Sequence, residues 1–299
     1  MTEFIAPVRR LLPLAALAVV LAGCGQPAPK AAEPSDGLKR YPLTGEVISA
    51  DPAKNLLIVQ HEEVKGLMAA MTMEFPVDPG DAAIAKPGSR IRATLVEFKP
   101  GEFRLEKIWS DDRVATSRIE AGMKDLVQDT NIRGKGAYRE IGEAMPNFTL
   151  YDQEGKVVDS ASFRGKRILL NFIYTRCPDL RMCPAATLKM IATQKAAREA
   201  GITDLQLISI TFDPDYDTPG VLHTYAAARG IDIANFSFVT GPLPAVQNLL
   251  KQFGIDAIFE GQLIKHTLST VLFDAEGRII HRTIGSQWEP SDFLDTLKR

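Results

Sequence analysis

Cysteine is scarce in this chain, three residues in 299, so each thiol can be placed individually. Excess charge is missing too: 35 Lys and Arg stand against 37 Asp and Glu, a net of -2. With no basic patch interleaved with aromatics, there is no electrostatic case for a nucleic-acid partner. Long apolar runs are lacking as well. The stretch Leu11 to Ala22 is too short for an ordinary membrane span. What remains, 45% hydrophobic and 24% charged, is ordinary globular composition with length for two modest domains.

The short apolar stretch follows Arg9 and Arg10 and ends Leu21-Ala22-Gly23-Cys24. That is the layout of an export signal, and its end resembles a bacterial lipobox. By that resemblance residues 1–24 are a lipoprotein signal, Cys24 carries lipid, and the chain works in the bacterial periplasm on a membrane anchor. Gly25 and Gln26 leave inner or outer membrane open. Residues 25–40, rich in Pro, Ala, Lys and Glu, read as a flexible tether. Cys177 and Cys183 are then the remaining thiols of an exported protein, where a free pair must be kept reduced or hold a metal.

Two patterns follow. Between residues 41 and 110, apolar runs at Leu43–Ser49, Leu56–His61, Met71–Val77, Arg90–Phe98 and Phe103–Trp109 alternate with the turn signals Asp51-Pro-Ala-Lys-Asn55 and Lys99-Pro-Gly101. They predict five strands, without a helix, in a small closed OB-like barrel. Residues 111–140 are polar, with weak helical periodicity through Ile119, Met123 and Leu126, and read as a linker. From 141 to 299 strands alternate with helices. Strands are expected at Ile168–Tyr174, Leu205–Phe212, Phe236–Thr240, Leu268–Asp274 and Arg278–Arg282. Helices are expected at Pro184–Ala200, Pro219–Arg229, Ala245–Phe253 and Ser291–Leu297, with Thr218 as the cap of the second. Ala275-Glu-Gly277 joins the last two strands as a hairpin, giving an α/β sandwich with an antiparallel edge, a thioredoxin-like fold.

Cys177 and Cys183 lie in Tyr-Thr-Arg-Cys-Pro-Asp-Leu-Arg-Met-Cys-Pro, between a buried strand and a helix start. Backbone N–H groups and the helix dipole favour thiolate there, and Arg176 and Arg181 are expected to lower both thiol pKa values. Together with Met145-Pro-Asn-Phe-Thr-Leu, Phe163-Arg-Gly-Lys, Thr211-Phe-Asp-Pro-Asp-Tyr-Asp-Thr-Pro219 and Lys265-His-Thr, this segment resembles the Sco/SenC proteins, thioredoxin-fold copper proteins of cytochrome c oxidase assembly. The resemblance implies a copper site of Cys177, Cys183 and His266. Two thiolates and an imidazole suit Cu(I) and accept Cu(II), carrying -1 or no net charge respectively. The spacer departs from the family: five residues separate the cysteines where three are usual. Met182 inside it is read as packing or pointing to solvent, and His223 and His281 as surface residues. A peroxiredoxin would need a Pro where Leu170 stands. A general thiol–disulfide oxidoreductase would have a proline where Lys265-His266-Thr267 stands.

Upstream, His61-Glu-Glu-Val-Lys-Gly-Leu-Met68-Ala-Ala-Met71-Thr-Met73-Glu-Phe75 resembles the metal segment of CusF-like periplasmic copper proteins. In a strand, Met71 and Met73 share one face, and His61 ends the strand before, so the three meet at a barrel mouth. Thioethers and imidazole are neutral soft donors that favour Cu(I) or Ag(I) over Zn(II). Met68 replaces the Trp of the best-known relatives and adds a third sulfur. These resemblances imply a copper metallochaperone, supplied by periplasmic copper donors and delivering to the CuA subunit of cytochrome c oxidase. Two other readings stay open. One is a thiol–disulfide reductase, with Cys177 and Cys183 redox-active and His266 dispensable. The other is a copper buffering or tolerance protein.

Overall fold

The computed structural model describes residues 36–260 and 263–298, with residues 258–260 and 263–266 described by backbone alone. Cys24, the lipobox and most of the tether lie outside the described residues.

Five antiparallel strands form the N-terminal sheet: β1 (Lys39–Asp51), β2 (Leu56–His61), β3 (Met71–Pro76), β4 (Arg90–Lys99) and β5 (Glu102–Ser110). Their order is β3-β2-β1-β4-β5, and β3 and β5 come into contact, so the sheet curls round a core of its own. Leu43, Val47, Leu57, Val59, Phe75 and Leu95 fill that core at alternate positions. The expected barrel has one unexpected element, the helix α1 (Pro79–Ile84) between β3 and β4.

The expected linker holds a 21-residue helix, α2 (Arg113–Arg133). Asp112 caps it, its carboxylate accepting from the Ala115 N–H at 2.7 Å. Ile119 and Leu126 are the side chains it buries, packing it onto the C-terminal half. A polar connection is thereby a fixed part of the structure.

The C-terminal half is a thioredoxin-like α/β sandwich. Its strands are β6 (Thr149–Asp152), β7 (Val157–Asp159), β8 (Arg167–Ile173), β9 (Leu205–Thr211), β10 (Phe236–Thr240), β11 (Ala257–Glu260), β12 (Leu263–His266), β13 (Ser269–Phe273) and β14 (Ile279–Ile284). The helices are α3 (Cys183–Glu199), α4 (Pro219–Ala227), α5 (Leu243–Gln252) and α6 (Pro290–Leu297). The seven-stranded sheet runs β14-β13-β8-β9-β10-β6-β7. β8, β9 and β10 are parallel and buried on both faces, hence their unbroken apolar runs. The hairpins β6–β7 and β11–β12 are additions to the expected set. Pro219 opens α4 as expected, but Thr218 makes no capping bond, and its buried hydroxyl lacks a partner.

The two halves touch. α1 lies on α4 at a glycine-to-glycine contact: a Cβ on Gly80 would stand 1.9 Å from the Gly220 carbonyl oxygen. Trp109 of β5 packs against Tyr151 of β6 with ring centroids 5.9 Å apart.

Candidate metal centres

Strand register brings the N-terminal donors together. His61 pairs directly with Met71 and Val59 with Met73, so His61, Met71 and Met73 share one face of β2–β3. Along β3 that face runs from exposed Met71 (46%) through half-buried Met73 to fully buried Phe75. Phe75 fills the core; Met71 does not, and stands as a thioether at the mouth. Met68 returns to the same end through a bridge with Val64, their backbones exchanging bonds of 3.0 and 3.1 Å.

His61 is 1% exposed, and its Nδ1 lies 2.7 Å from the Glu62 carbonyl oxygen. A carbonyl only accepts, so Nδ1 donates and Nε2 keeps its lone pair in the neutral ring. That buried Nε2 has no hydrogen-bond partner among the described residues. An orphaned imidazole nitrogen beside thioethers, with its other nitrogen held by a carbonyl, is the usual second-shell arrangement of a histidine metal ligand. The residues fit a soft monovalent ion. His61→Ala is expected to weaken Ag(I) binding by at least about 100-fold, since loss of even an outer partner costs 10–100-fold. Titration of the chain with Ag(I) checks this, and unchanged affinity would remove His61 from the site.

At the C-terminal site the five-residue spacer is taken up by two turns, closed by Cys177 N–H to Tyr174 O at 3.3 Å and Met182 N–H to Asp179 O at 3.0 Å. Cys183 is the first residue of α3 and buried, whereas Cys177 is half-buried. Both are thiols, and they are hydrogen-bonded to each other. The wide spacer thus still brings the sulfurs together. That hydrogen bond first, and burial second, push the Cys183 thiol up rather than down.

The expected help from arginine is not there. Arg176 donates to Asp213 from Nε at 3.1 Å and Nη2 at 2.6 Å, and its guanidinium stacks 4.1 Å from the Tyr216 ring. Arg181 is engaged by Asp179 at 2.9 Å. Carboxylates already neutralise both cations, so neither is free to hold Cys183 as a thiolate.

His266 ends β12, and its side chain lies outside the described residues. Its backbone is placed: β13 runs antiparallel to β8 with Thr270 opposite Asn171. The chain entering β13 and the chain leaving β8 therefore lie at the same end of the sheet, the end at which the cysteine loop begins. Among the described residues no three His, Cys, Asp or Glu side chains converge. Met182 packs against the core. His223 is half-buried and bonded to Glu154 at 2.9 Å, and His281 packs on Phe293, so neither is the free surface residue expected.

Sequence reasoning missed Asp217. It is fully buried, and its carboxylate accepts from the Thr175 N–H at 3.1 Å, the Thr175 hydroxyl and the Thr211 hydroxyl at 2.5 Å. Burial pushes its pKa up to about 7.

Comparison with known proteins gives the metal a name. The profile described as SCO1/SenC matches residues 137–299, and that of the copper binding periplasmic protein CusF matches residues 40–110. The SCO1 protein homolog of Bacillus subtilis is 30% identical over 153 residues, 48% of this chain and 76% of that protein. A putative copper-binding protein of Stutzerimonas stutzeri is 32% identical over 112 residues, 38% of this chain and 52% of its own length. Among solved structures, a SCO1/SenC family lipoprotein from Bacillus anthracis is 27% identical, with a TM-score of 0.49 over 55% of this chain and 98% of that one. The metal named in these comparisons is copper. The chain belongs to the SCO1/SenC family and carries a CusF-type copper-binding segment ahead of its family domain.

Proposed function

We propose that the protein is a copper metallochaperone of the periplasm, held to a membrane through lipid on Cys24, that supplies the CuA centre of cytochrome c oxidase. The observation that carries the copper reading is the buried Nε2 of His61, without a hydrogen-bond partner among the described residues, on a residue that shares its strand face with Met71 and Met73. Nothing among the described residues satisfies that nitrogen, and a soft monovalent ion would. The barrel takes up Cu(I) on neutral donors that cannot form disulfides. Cys177, Cys183 and His266 carry copper at the family domain. Transfer proceeds by ligand exchange, each incoming thiolate replacing one outgoing donor. Delivery to the oxidase is supported by family membership, and the periplasmic setting by the export signal and the CusF-type segment.

Copper titration of the purified chain tests the reading. The wild type is expected to develop a thiolate–copper charge-transfer band, absent from Cys177→Ser/Cys183→Ser. The same variant in cells is expected to lose cytochrome c oxidase activity while the protein still accumulates. An unchanged copper stoichiometry and affinity in the variant would overturn the C-terminal site.

A further inference from the structure

The two residues immediately before Cys177 are each held by a different aspartate of one short loop. Thr175 gives both its N–H and its hydroxyl to Asp217, and Arg176 gives two guanidinium N–H groups to Asp213. Tyr216, between those aspartates in sequence, forms the floor on which Arg176 lies. The loop itself is braced from β9: the Thr211 hydroxyl donates to Asp217 and accepts from the Asp213 N–H at 3.0 Å. β8 and β9 are paired up to Ile173 and Thr211. Beyond that point the ladder ends, and these side-chain bonds take over the work of fixing the chain.

A buried carboxylate is a costly way to stabilise a fold, because no cation among the described residues pairs with Asp217 and desolvation opposes its charge. What the carboxylate supplies, and an apolar side chain would not, is an acceptor for three donors at once. Two of those donors belong to Thr175, at the root of the cysteine loop and two residues from Cys177; the third, the Thr211 hydroxyl, ties the carboxylate to the end of β9. Cys177 in turn stands within hydrogen-bond reach of Cys183, whose place is fixed as the first residue of α3.

We propose that Asp217 is a positioning residue for the copper site: by clasping Thr175 it sets where Cys177 stands against Cys183. The role of the site rests on the copper reading above; the clasp acts on the metal-free protein as well.

The test compares Asp217→Asn, Thr175→Val and Thr175→Ser with the wild type, reduced and metal-free. Asn keeps the volume but offers one acceptor oxygen; Val removes the hydroxyl from the other side; Ser keeps it. The rate of Cys177 alkylation by iodoacetamide is read at fixed pH. Asp217→Asn and Thr175→Val are expected to raise it about tenfold, the population change that loss of one bond to a charged group brings. Thr175→Ser is expected to match the wild type. In the same variants Cu(I) affinity, followed by the thiolate–copper band, should fall about 10–100-fold. A merely structural role would lower the melting temperature and leave alkylation and affinity within twofold of wild type in folded protein, and that result overturns the proposal. Should Asp217→Asn fail to fold, Thr175→Val alone decides. A wild type with no copper band would defeat the copper reading and leave the alkylation comparison standing.

Discussion

Gly80→Val is expected to undock the barrel from the family domain while leaving both folded. A Cβ at position 80 meets the Gly220 carbonyl oxygen at 1.9 Å and the Thr224 hydroxyl at 2.5 Å. Overpacking by a methyl group costs about 1–3 kcal/mol where neighbours can shift. Here the nearest neighbour is backbone, fixed in α4 just behind Pro219, and shifting it means shifting the helix. The α1 backbone at Gly80 is not left-handed, so the glycine is there for close approach rather than for its φ. Replacing it would otherwise favour α1, since glycine is the poorer helix former by several tenths of a kcal/mol. Each half keeps a separate apolar core, one around Leu43, Val59 and Phe75 and the other around Phe172, Leu207 and Val271. Calorimetry should therefore show the wild type's unfolding split into two transitions, with protease cleavage newly exposed between residues 76 and 90. Gly220→Val, which drives a Cβ to within 2.1 Å of the Asp81 carboxylate, should do the same. A single transition at the wild-type temperature in both variants would show that the halves are not joined through this contact.

That contact was not legible in the sequence, and the reason is physical. The five barrel strands declare themselves by alternation and by Pro and Gly turns, and all five stand within a few residues of their expected places. The sequence of α1, Pro-Gly-Asp-Ala-Ala-Ile, has the composition of a loop. A six-residue helix is unstable by itself and exists because α4 packs on it, which no local pattern announces. α2 escaped for a related reason: burying only Ile119 and Leu126 gives it a stripe too thin to stand out from a polar connection. At the sites, candidate donors could be named from the sequence and their surroundings could not. His61, Met71 and Met73 were singled out by resemblance to a CusF-like segment, and strand periodicity added that Met71 and Met73 share a face, as the β2–β3 register has it. The orphaned Nε2 of His61 depends on a bond to the Glu62 carbonyl that only the fold reveals. Arg176 and Arg181 were misassigned because Asp213 and Asp179 compete for them, and Asp213 comes from a distant part of the chain. Among the aspartates of Thr211–Pro219, nothing local distinguishes Asp217, the most deeply buried, from Asp213 and Asp215.

The same contact makes stability fall as pH rises. Asp81 is buried against α4 with one carboxylate oxygen unpartnered. Burial first, and the neighbouring Asp78 carboxylate second, push its pKa from 3.8 to about 7. A raised carboxyl works opposite to the usual salt-bridged aspartate. Below pH 3.8 both folded and unfolded states are protonated, and Asp81 contributes nothing. As pH rises towards 7 the unfolded chain releases its proton while the folded one keeps it, so the unfolded state gains. Above that the penalty is complete, at most roughly 4 kcal/mol for a shift of about three units. Asp81→Asn removes the titration and keeps the shape. Its gain in stability over wild type should grow by about 2 to 3 kcal/mol between pH 5 and pH 8, read from urea midpoints at each pH. Any fixed cost of burying the amide is the same at both pH values and drops out of that difference. Gly80→Val, by parting α1 from α4, hydrates Asp81 and should erase the same share of the pH dependence. If Asp81→Asn tracks the wild type in parallel across this range, the carboxyl is not desolvated by the contact, and the docked arrangement of the two halves is wrong at that point.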